Sequence, residues 1–305
     1  MAFHSPAVFT QFTPEHLRVV RTILAEHPWE LGEQQQYQLN ESASGFIGLL
    51  NEANQTYAHI RLTGQPNPVA VIEITSVTQD PDTYVEAAKH ALTETAARVQ
   101  GPVHLWRHRP FPVALDDLGL TLERSLAHMQ RDTSDLPGVP PTPPGVLIRP
   151  FTWDDLDAFV ELNNAAFAHH PDQGGWTRDL AQERLRQPWV RFDQLFIAQE
   201  TSQSSEPGKL LAFHWTKQHE TQEGKPAGEV YVIGVHPDAQ GRGLGKVMLL
   251  TGLHALVTSG AQLLDLWVNE AETAPMRLYT SMGFTVAERS ECFEGHTSTN
   301  MKRQD

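Results

Sequence analysis

The run Gln240-Gly241-Arg242-Gly243-Leu244-Gly245-Lys246 carries the clearest chemistry in this 305-residue sequence. It lies between a strand-like stretch, 229–235, and an apolar helix-like stretch, 244–259. Glycines at such a junction let successive backbone N–H groups turn toward one point without Cβ clashes. The first turn of the helix adds unpaired N–H donors and partial positive charge. Together they make a cradle for a phosphate or pyrophosphate, and Arg242 and Lys246 add charge. A Walker A loop needs four residues between its glycines and Ser or Thr after its Lys. Here three residues separate Gly241 from Gly245, and Val247 follows Lys246. A dinucleotide fingerprint needs G-x-G-x-x-G and an acid at the end of the next strand. Here the spacing is G-x-G-x-G, and Asp265 falls inside its strand. A structural turn with no ligand is the remaining alternative from residue types alone.

One further pattern matches in full. Gln240-x-x-Gly243-x-Gly245 after a strand resembles the acetyl-CoA loop of the GCN5-related N-acetyltransferases, and Leu278-Tyr279-Thr280-Ser281-Met282-Gly283-Phe284 resembles the run that closes many of their domains. The resemblance implies two neighbouring strands that splay, with the pantetheine arm of acetyl-CoA in the gap. Backbone N–H groups of Ile233, Gly234 and Val235 would then bond the arm and polarise the thioester carbonyl. Transfer to an amine also requires that the amine lose a proton and the thiolate be protonated or stabilised. Alternation along 229–235 predicts Glu229, Tyr231, Ile233 and Val235 on one face. Glu229, a carboxylate on an otherwise apolar strand, is the expected base or substrate anchor, with a strand-end surface Glu as the alternative. Tyr279 stands where the superfamily often has its acid. A phenol titrating near pH ~10 is a donor matched to a thiolate; otherwise Tyr279 is a packed aromatic. Cys292 has no identifiable base beside it, so direct transfer is preferred to an acyl-cysteine. His169-His170-Pro171-Asp172 lacks H-x-x-E-H or C-x-x-C spacing, and no metal is expected.

A narrower resemblance covers nearly the whole chain and is strongest over 146–284. The tandem layout and the segments His170-Pro171-Asp172-Gln173-Gly174-Gly175-Trp176-Thr177, Phe213-His214-Trp215-Thr216-Lys217 and Gly228-Glu229-Val230-Tyr231-Val232-Ile233-Gly234-Val235 are similar to the mycothiol synthase family. That family acetylates the cysteinyl amine of cysteinyl-glucosaminyl-inositol, a pseudodisaccharide thiol, from acetyl-CoA. The resemblance implies substrate contacts at Glu33, Asp172, Lys217 and Glu229. It implies acetyl-CoA contacts at Ile233, Gly234 and Val235, at Gln240, Gly241, Arg242, Gly243, Leu244, Gly245 and Lys246, and at Glu272, Thr273, Ala274, Pro275, Met276 and Arg277. Two positions depart from the family pattern, Trp267 where Tyr is common and Glu272 where Asn is common. Trp267 keeps a flat wall and one N–H donor for substrate but cannot accept a hydrogen bond.

The elements that must position these groups occur twice. Phe12-Thr13-Pro14-Glu15-His16-Leu17 matches Phe151-Thr152-Trp153-Asp154-Asp155-Leu156, each reading as a strand end, a Thr N-cap and a helix with acid in its first turn. His104-Leu105-Trp106 matches Asp265-Leu266-Trp267, and 119–125 matches 283–290 with one insertion. Six prolines between Asp135 and Pro150 suggest a semi-rigid linker. The expectation is a first, degenerate domain over 1–136, a linker over 137–145 and a catalytic domain over 146–305. Each is α/β (α+β), a mixed twisted sheet flanked by helices. In the first copy the strand 69–77 leads into Thr78-Gln79-Asp80-Pro81-Asp82-Thr83, with no glycine and two carboxylates where an anion cradle should be. That copy is expected to be catalytically silent.

With 23 Lys plus Arg against 37 Asp plus Glu, the net charge is −14, spread evenly as −7 over 1–140 and −7 over 141–305. Without a Lys/Arg cluster, nucleic acid is excluded as the main partner. Cys292 is the one cysteine, so no intramolecular disulfide forms, and Met1-Ala2-Phe3-His4-Ser5-Pro6 does not read as a signal peptide. A cytoplasmic monomer without membrane association is expected. Residue types alone leave open other small cationic amines (aminoglycoside, polyamine) or a protein N-terminus as acceptor, and a non-enzymatic CoA-sensing module.

Overall fold

In the computed structural model the described residues are 7–10, 15–16, 18–20, 46–50, 56–63, 69–76, 80–108, 114–170, 173–201, 208–221 and 224–297. Strands β1 (Ala7–Phe9), β2 (Phe46–Leu50), β3 (Thr56–Thr63) and β4 (Val69–Ser76) are followed by helix α1 (Pro81–Ala96), β5 (Pro102–His108) and β6 (Thr121–Asp132). Then come β7 (Val146–Pro150), α2 (Leu156–Ala166), α3 (Arg178–Leu185), β8 (Leu195–Glu200), β9 (Leu210–Glu220), β10 (Pro226–Val235), α4 (Leu244–Thr258), β11 (Leu263–Asn269), α5 (Thr273–Ser281) and β12 (Thr285–His296). Of the matched segment 12–17 only Glu15 and His16 are among the described residues, and Val77, Thr78 and Gln79 lie outside them.

The chain forms two compact units. One takes the described residues up to Ala127, Asn269–Ala271 and those from Glu288 onward; the other takes His128–Val268 and Glu272–Ala287. In the first, β1 to β4 pair antiparallel in succession, β4 pairs parallel with β5, and β5 pairs antiparallel with β12. Its core sets Ala87, Ala88 and Ala91 of α1 against Ile60, Ile72 and Leu105. In the second unit β7 to β10 pair antiparallel in succession and β10 pairs parallel with β11. The pattern of antiparallel strand, crossover helix and parallel strand is therefore built twice, as β4–α1–β5 and as β10–α4–β11. Each crossover joins parallel neighbours, which a tight hairpin cannot do.

The helices start where the sequence supplies caps. Asp155 accepts from the backbone N–H of Thr152 (2.8 Å) and completes a capping box ahead of α2. Its carboxyl is held below the usual range because paired bonds from Arg149 (2.8 and 2.6 Å) and bonds from Thr152 outweigh burial, the largest influence, which acts the other way. α3 has no counterpart in the predicted elements. Its sequence is polar, and only Ala181 and Leu185, one turn apart, are buried. Phe159, Trp176, Phe213 and Trp215 pack between the sheet and α2 and α3. On the opposite face Leu244 and Met248 of α4 pack on Ala198, Leu211 and Ala212. α4 lies close to its sheet because Gly252 faces His214. A Cβ at Gly252 would stand 2.1 Å from His214 Nδ1. The Pro-rich segment meets α4 as well, with His254 Nε2 donating to the Pro137 carbonyl (2.9 Å).

Candidate active site

β10 and β11 are in register from Ala227↔Leu263 to Val230↔Leu266, and there the pairing ends although both strands continue. The strands diverge at Tyr231, and backbone groups on that side of β10 are released from the ladder. On its other side β10 stays paired with β9, but the register shifts between Val230 and Val232, so Tyr231 is an extra residue in a β-bulge. The bulge corrects the predicted alternation. Glu229 faces Lys217 in register and Tyr231 joins the aromatic core under α2, while Ile233 and Val235 pack with the cluster under α4. One extra residue moves the side chains beyond it to the other face. The four residues expected on one face are thus divided between two.

Glu229 and Lys217 form an ion pair at 3.7 Å, both largely buried. Lys217 Nζ also lies over the rings of Trp189 (5.4 Å) and Tyr231 (6.0 Å). Those rings meet edge to face (centroids 4.8 Å), and each packs on Trp215. An apolar wall of this kind lowers the local dielectric and strengthens the attraction within the pair. Parallel pairing sets Asp265 beside Glu229, so Lys217, Glu229 and Asp265 form a row across β9, β10 and β11.

The turn after β10 leads into a 3-10 segment, Pro237–Ala239, and then the glycines. Gly241 (φ +74°) and Gly243 (φ +80°) are left-handed, a conformation that costs an L-residue roughly 1–2 kcal/mol. Open space surrounds the position a Cβ would take at either. Gly243 is the N-cap of α4 and offers no side-chain cap. The first helical bond from this cap is Val247 N–H to the Gly243 carbonyl (3.3 Å), so the first-turn N–H groups of Leu244, Gly245 and Lys246 precede it. Space, charge and unpaired donors fit a diphosphate. Arg242 is tethered by the buried carboxylate of Glu200 (3.4 Å), which steadies the loop. A Cβ at Gly245 would meet only Val235 at an ordinary 3.8 Å, so close packing does not require that glycine.

At the start of α5, Glu272 is an N-cap without a side-chain bond. Glu272, Thr273, Ala274 and Arg277 are exposed, and Pro275 and Met276 are half-buried. Tyr279, on the inner face of α5, packs edge to face on Phe284 (6.0 Å). Burial, with the charge of Glu272 second, pushes its phenol above the usual range, so it keeps its proton well into base. Cys292 is fully buried, and its thiol is pushed up to about 12, first by burial and then by Glu123. It stays protonated at neutral pH, as the reading without an acyl-cysteine requires. One group among the described residues, His104, Glu123 and Cys292 in the first unit, has ligand atoms near enough to hold a metal. Glu33 and Asp172 lie outside the described residues. Beside Asp172, His170 Nδ1 accepts from the Gln173 N–H (3.2 Å), and Asn163 Nδ2 pins the Gln173 carbonyl to α2 (2.7 Å).

Sequence reasoning passed over a polar cluster around Asp265. This carboxylate, 4% exposed, is reached by His219 Nε2 (3.1 Å) and by His128 Nε2 (3.4 Å). His128 stacks on Trp267 with centroids 4.6 Å apart and planes at 11°. Trp267 remains 36% exposed, so a broad apolar ring faces outward beside the row. The one signal in the sequence is a carboxylate inside the β11 strand, Asp265, at a position that does not fit a dinucleotide fingerprint.

A diverging parallel strand pair that feeds a glycine turn at an uncapped helix defines a GCN5-related N-acetyltransferase, and the sequence profile of the acetyltransferase (GNAT) family matches residues 156–284. A crystal structure of a GCN5-related N-acetyltransferase from Sphaerobacter thermophilus covers 97% of each chain with TM-score 0.67 at 16% identity. A tandem GNAT protein from the clavulanic acid biosynthesis pathway covers 98% of this chain and 97% of its own with TM-score 0.66 at 12% identity. These likenesses are of fold, two tandem GNAT-type domains of mixed α/β structure. Among relatives in sequence, a mycothiol acetyltransferase of Thermobispora bispora is 42% identical over 190 residues, 60% of this chain and 62% of the relative, so the chain spans under two thirds of its length. Another, from Actinosynnema mirum, is 35% identical over 286 residues, 89% of this chain and 93% of the relative. The chain belongs to the mycothiol acetyltransferase family. Membership of the wider GNAT family implies acetyl-CoA as acyl donor. No helix among the described residues is long and apolar enough to cross a membrane.

Proposed function

We propose that the second unit transfers acetyl from acetyl-CoA to the cysteinyl amine of cysteinyl-glucosaminyl-inositol, the last step in making mycothiol. The observation that carries the reading is Glu229, an ionisable base on the strand that feeds the glycine turn, paired with Lys217 and walled by Trp189 and Tyr231. The names of the relatives support the choice of acceptor. Bound acetyl-CoA supplies an activated thioester carbonyl. Gly241, Gly243 and the first turn of α4, with Arg242 and Lys246, hold its diphosphate, and Glu272 to Arg277 flank the nucleotide. Backbone groups of Ile233, Gly234 and Val235, in the part of β10 beyond the point where β11 leaves it, serve the pantetheine and the carbonyl oxygen.

Glu229 takes the proton that the amine loses as the new N–C bond forms. Lys217 keeps Glu229 ionised and, with Glu33, Asp172 and the Trp267 ring, contacts the polyol. Tyr279 holds a proton for the thiolate released when the C–S bond breaks. The first copy, 1–136, is catalytically silent and is joined through 137–145 to the active copy, 146–305. The enzyme works as a cytoplasmic monomer. Mass spectrometry of products from acetyl-CoA and the purified cysteinyl acceptor tests the reading. N-acetylated product is expected, with no transfer to aminoglycosides, polyamines or peptide N-termini. Transfer to one of those and not to the cysteinyl acceptor would replace it.

A further inference from the structure

We propose that His219 is a positioning residue for acyl transfer, locked as an imidazolium between Asp265 and the Glu220 carbonyl so that its charge keeps Glu229 ionised. The inference rests on Glu229 as the base. Both ring nitrogens of His219 face oxygens that can only accept. Nδ1 lies 3.2 Å from the Glu220 carbonyl, and Nε2 lies 3.2 and 3.1 Å from the two Asp265 oxygens. A ring that carries both protons is the form that makes both contacts hydrogen bonds.

Asp265 is built to hold that charge. Burial alone would drive its carboxyl toward the neutral form, yet bonds from His128 and His219 outweigh burial and hold it below the usual range. His219 is raised in turn, chiefly by its bond to Asp265 and further by the charge of Glu229, with burial opposing. Such coupling is reciprocal. If ionised Glu229 favours protonated His219, protonated His219 favours ionised Glu229 to the same degree. The register explains the reach. His219 on β9 stands opposite Ala227 on β10, whose methyl leaves a path across the strand to Asp265 on β11. The charged and titratable groups facing the ring among the described residues are Lys217 on its own strand, Glu229 on β10, Asp265 on β11 and, across Asp265, His128 on β6. Glu229 is thus flanked by two cations, and Asp265 offsets the second.

The pH dependence of kcat/KM, measured with acetyl-CoA and the cysteinyl acceptor, tests this on the wild type and on His219→Gln, His219→Lys and Glu229→Gln. His219→Gln should move the acid limb upward by about one pH unit and leave the alkaline plateau nearly unchanged, and His219→Lys should move it back. An acid limb that stays in place in a His219→Gln protein with normal acetyl-CoA affinity overturns the inference. The ring 15N shifts of His219 in the wild type give a readout that needs no variant. An imidazolium at pH 7 is expected, and a neutral ring contradicts the inference even where His219→Gln fails to fold. Full activity in Glu229→Gln would instead remove the base assignment, whatever the state of His219.

Discussion

The two crossover helices begin in opposite ways. α1 starts with Asp80, whose carboxylate accepts from the Thr83 N–H (3.0 Å) and from the Thr83 hydroxyl, with Pro81 in the first turn. Bonds from the Thr83 hydroxyl and then its N–H hold the Asp80 carboxyl below the usual range. The positive end of α1 is therefore satisfied by its own chain. α4 starts with left-handed Gly243 and has no side-chain cap, so no side chain of that residue satisfies its end. The same strand–turn–helix pattern is thus closed by a side-chain cap in one unit and left without one in the other, where the proposed reading seats a diphosphate. A side-chain carboxylate at the cap competes with an external anion for the first-turn N–H groups.

The largest expected effect lies beside the open end. Glu229→Gln should lower kcat by about 10²–10⁴-fold while the Kd for acetyl-CoA, measured by calorimetry, stays within a factor of two. Equal loss in both would make Glu229 a cofactor contact and weaken the contrast between the units.

The seating of the helices differs too. α1 meets its sheet through alanines, whereas α4 meets its sheet at Gly252 against His214. Gly252→Ala should cost about 3 kcal/mol in denaturant unfolding, because neither the ring nor the helix can give way cheaply. A change under 1 kcal/mol would show that α4 shifts freely, and the glycine turn would then not be rigidly placed.

A smaller effect is the pH response of the same contact. His214 is fully buried, and its ring is pushed down to about 4 by burial against the opposing bond to the Met248 carbonyl. The unfolded chain binds this proton near pH 6.5 and the folded chain only near 4. Stability from His214 is therefore complete above about 6.5 and falls as pH drops toward 4, by up to about 3 kcal/mol. Unfolding midpoints across pH 4–8 should show this slope, and a His214→Gln variant should lack it. A wild-type curve flat below pH 6.5 contradicts it.

Much of this was legible in the sequence because it is local. The glycine turn needs only contiguous residues and a strand before it, and the missing glycine in the first copy is local as well. The strand before the turn and the apolar helix after it were legible too, whereas polar α3 was not. Nor was the Tyr231 bulge, since Glu229, Tyr231, Ile233 and Val235 keep a period of two in sequence while the backbone register slips. The cluster of His219, Asp265 and His128 was invisible for another reason. Its members come from β9, β11 and β6, and only strand order brings them together.

Calorimetric titration of acetyl-CoA into the wild type, Asp80→Gly and Gly243→Asp tests the central claim most directly. The wild type and Asp80→Gly should each bind one equivalent per chain, because freeing α1 supplies no glycine cradle. Gly243→Asp, which gives α4 a carboxylate like that of α1, should weaken binding by about 100-fold. Undiminished affinity in Gly243→Asp, or a second equivalent in the wild type, would contradict the assignment of the diphosphate to the open end of α4.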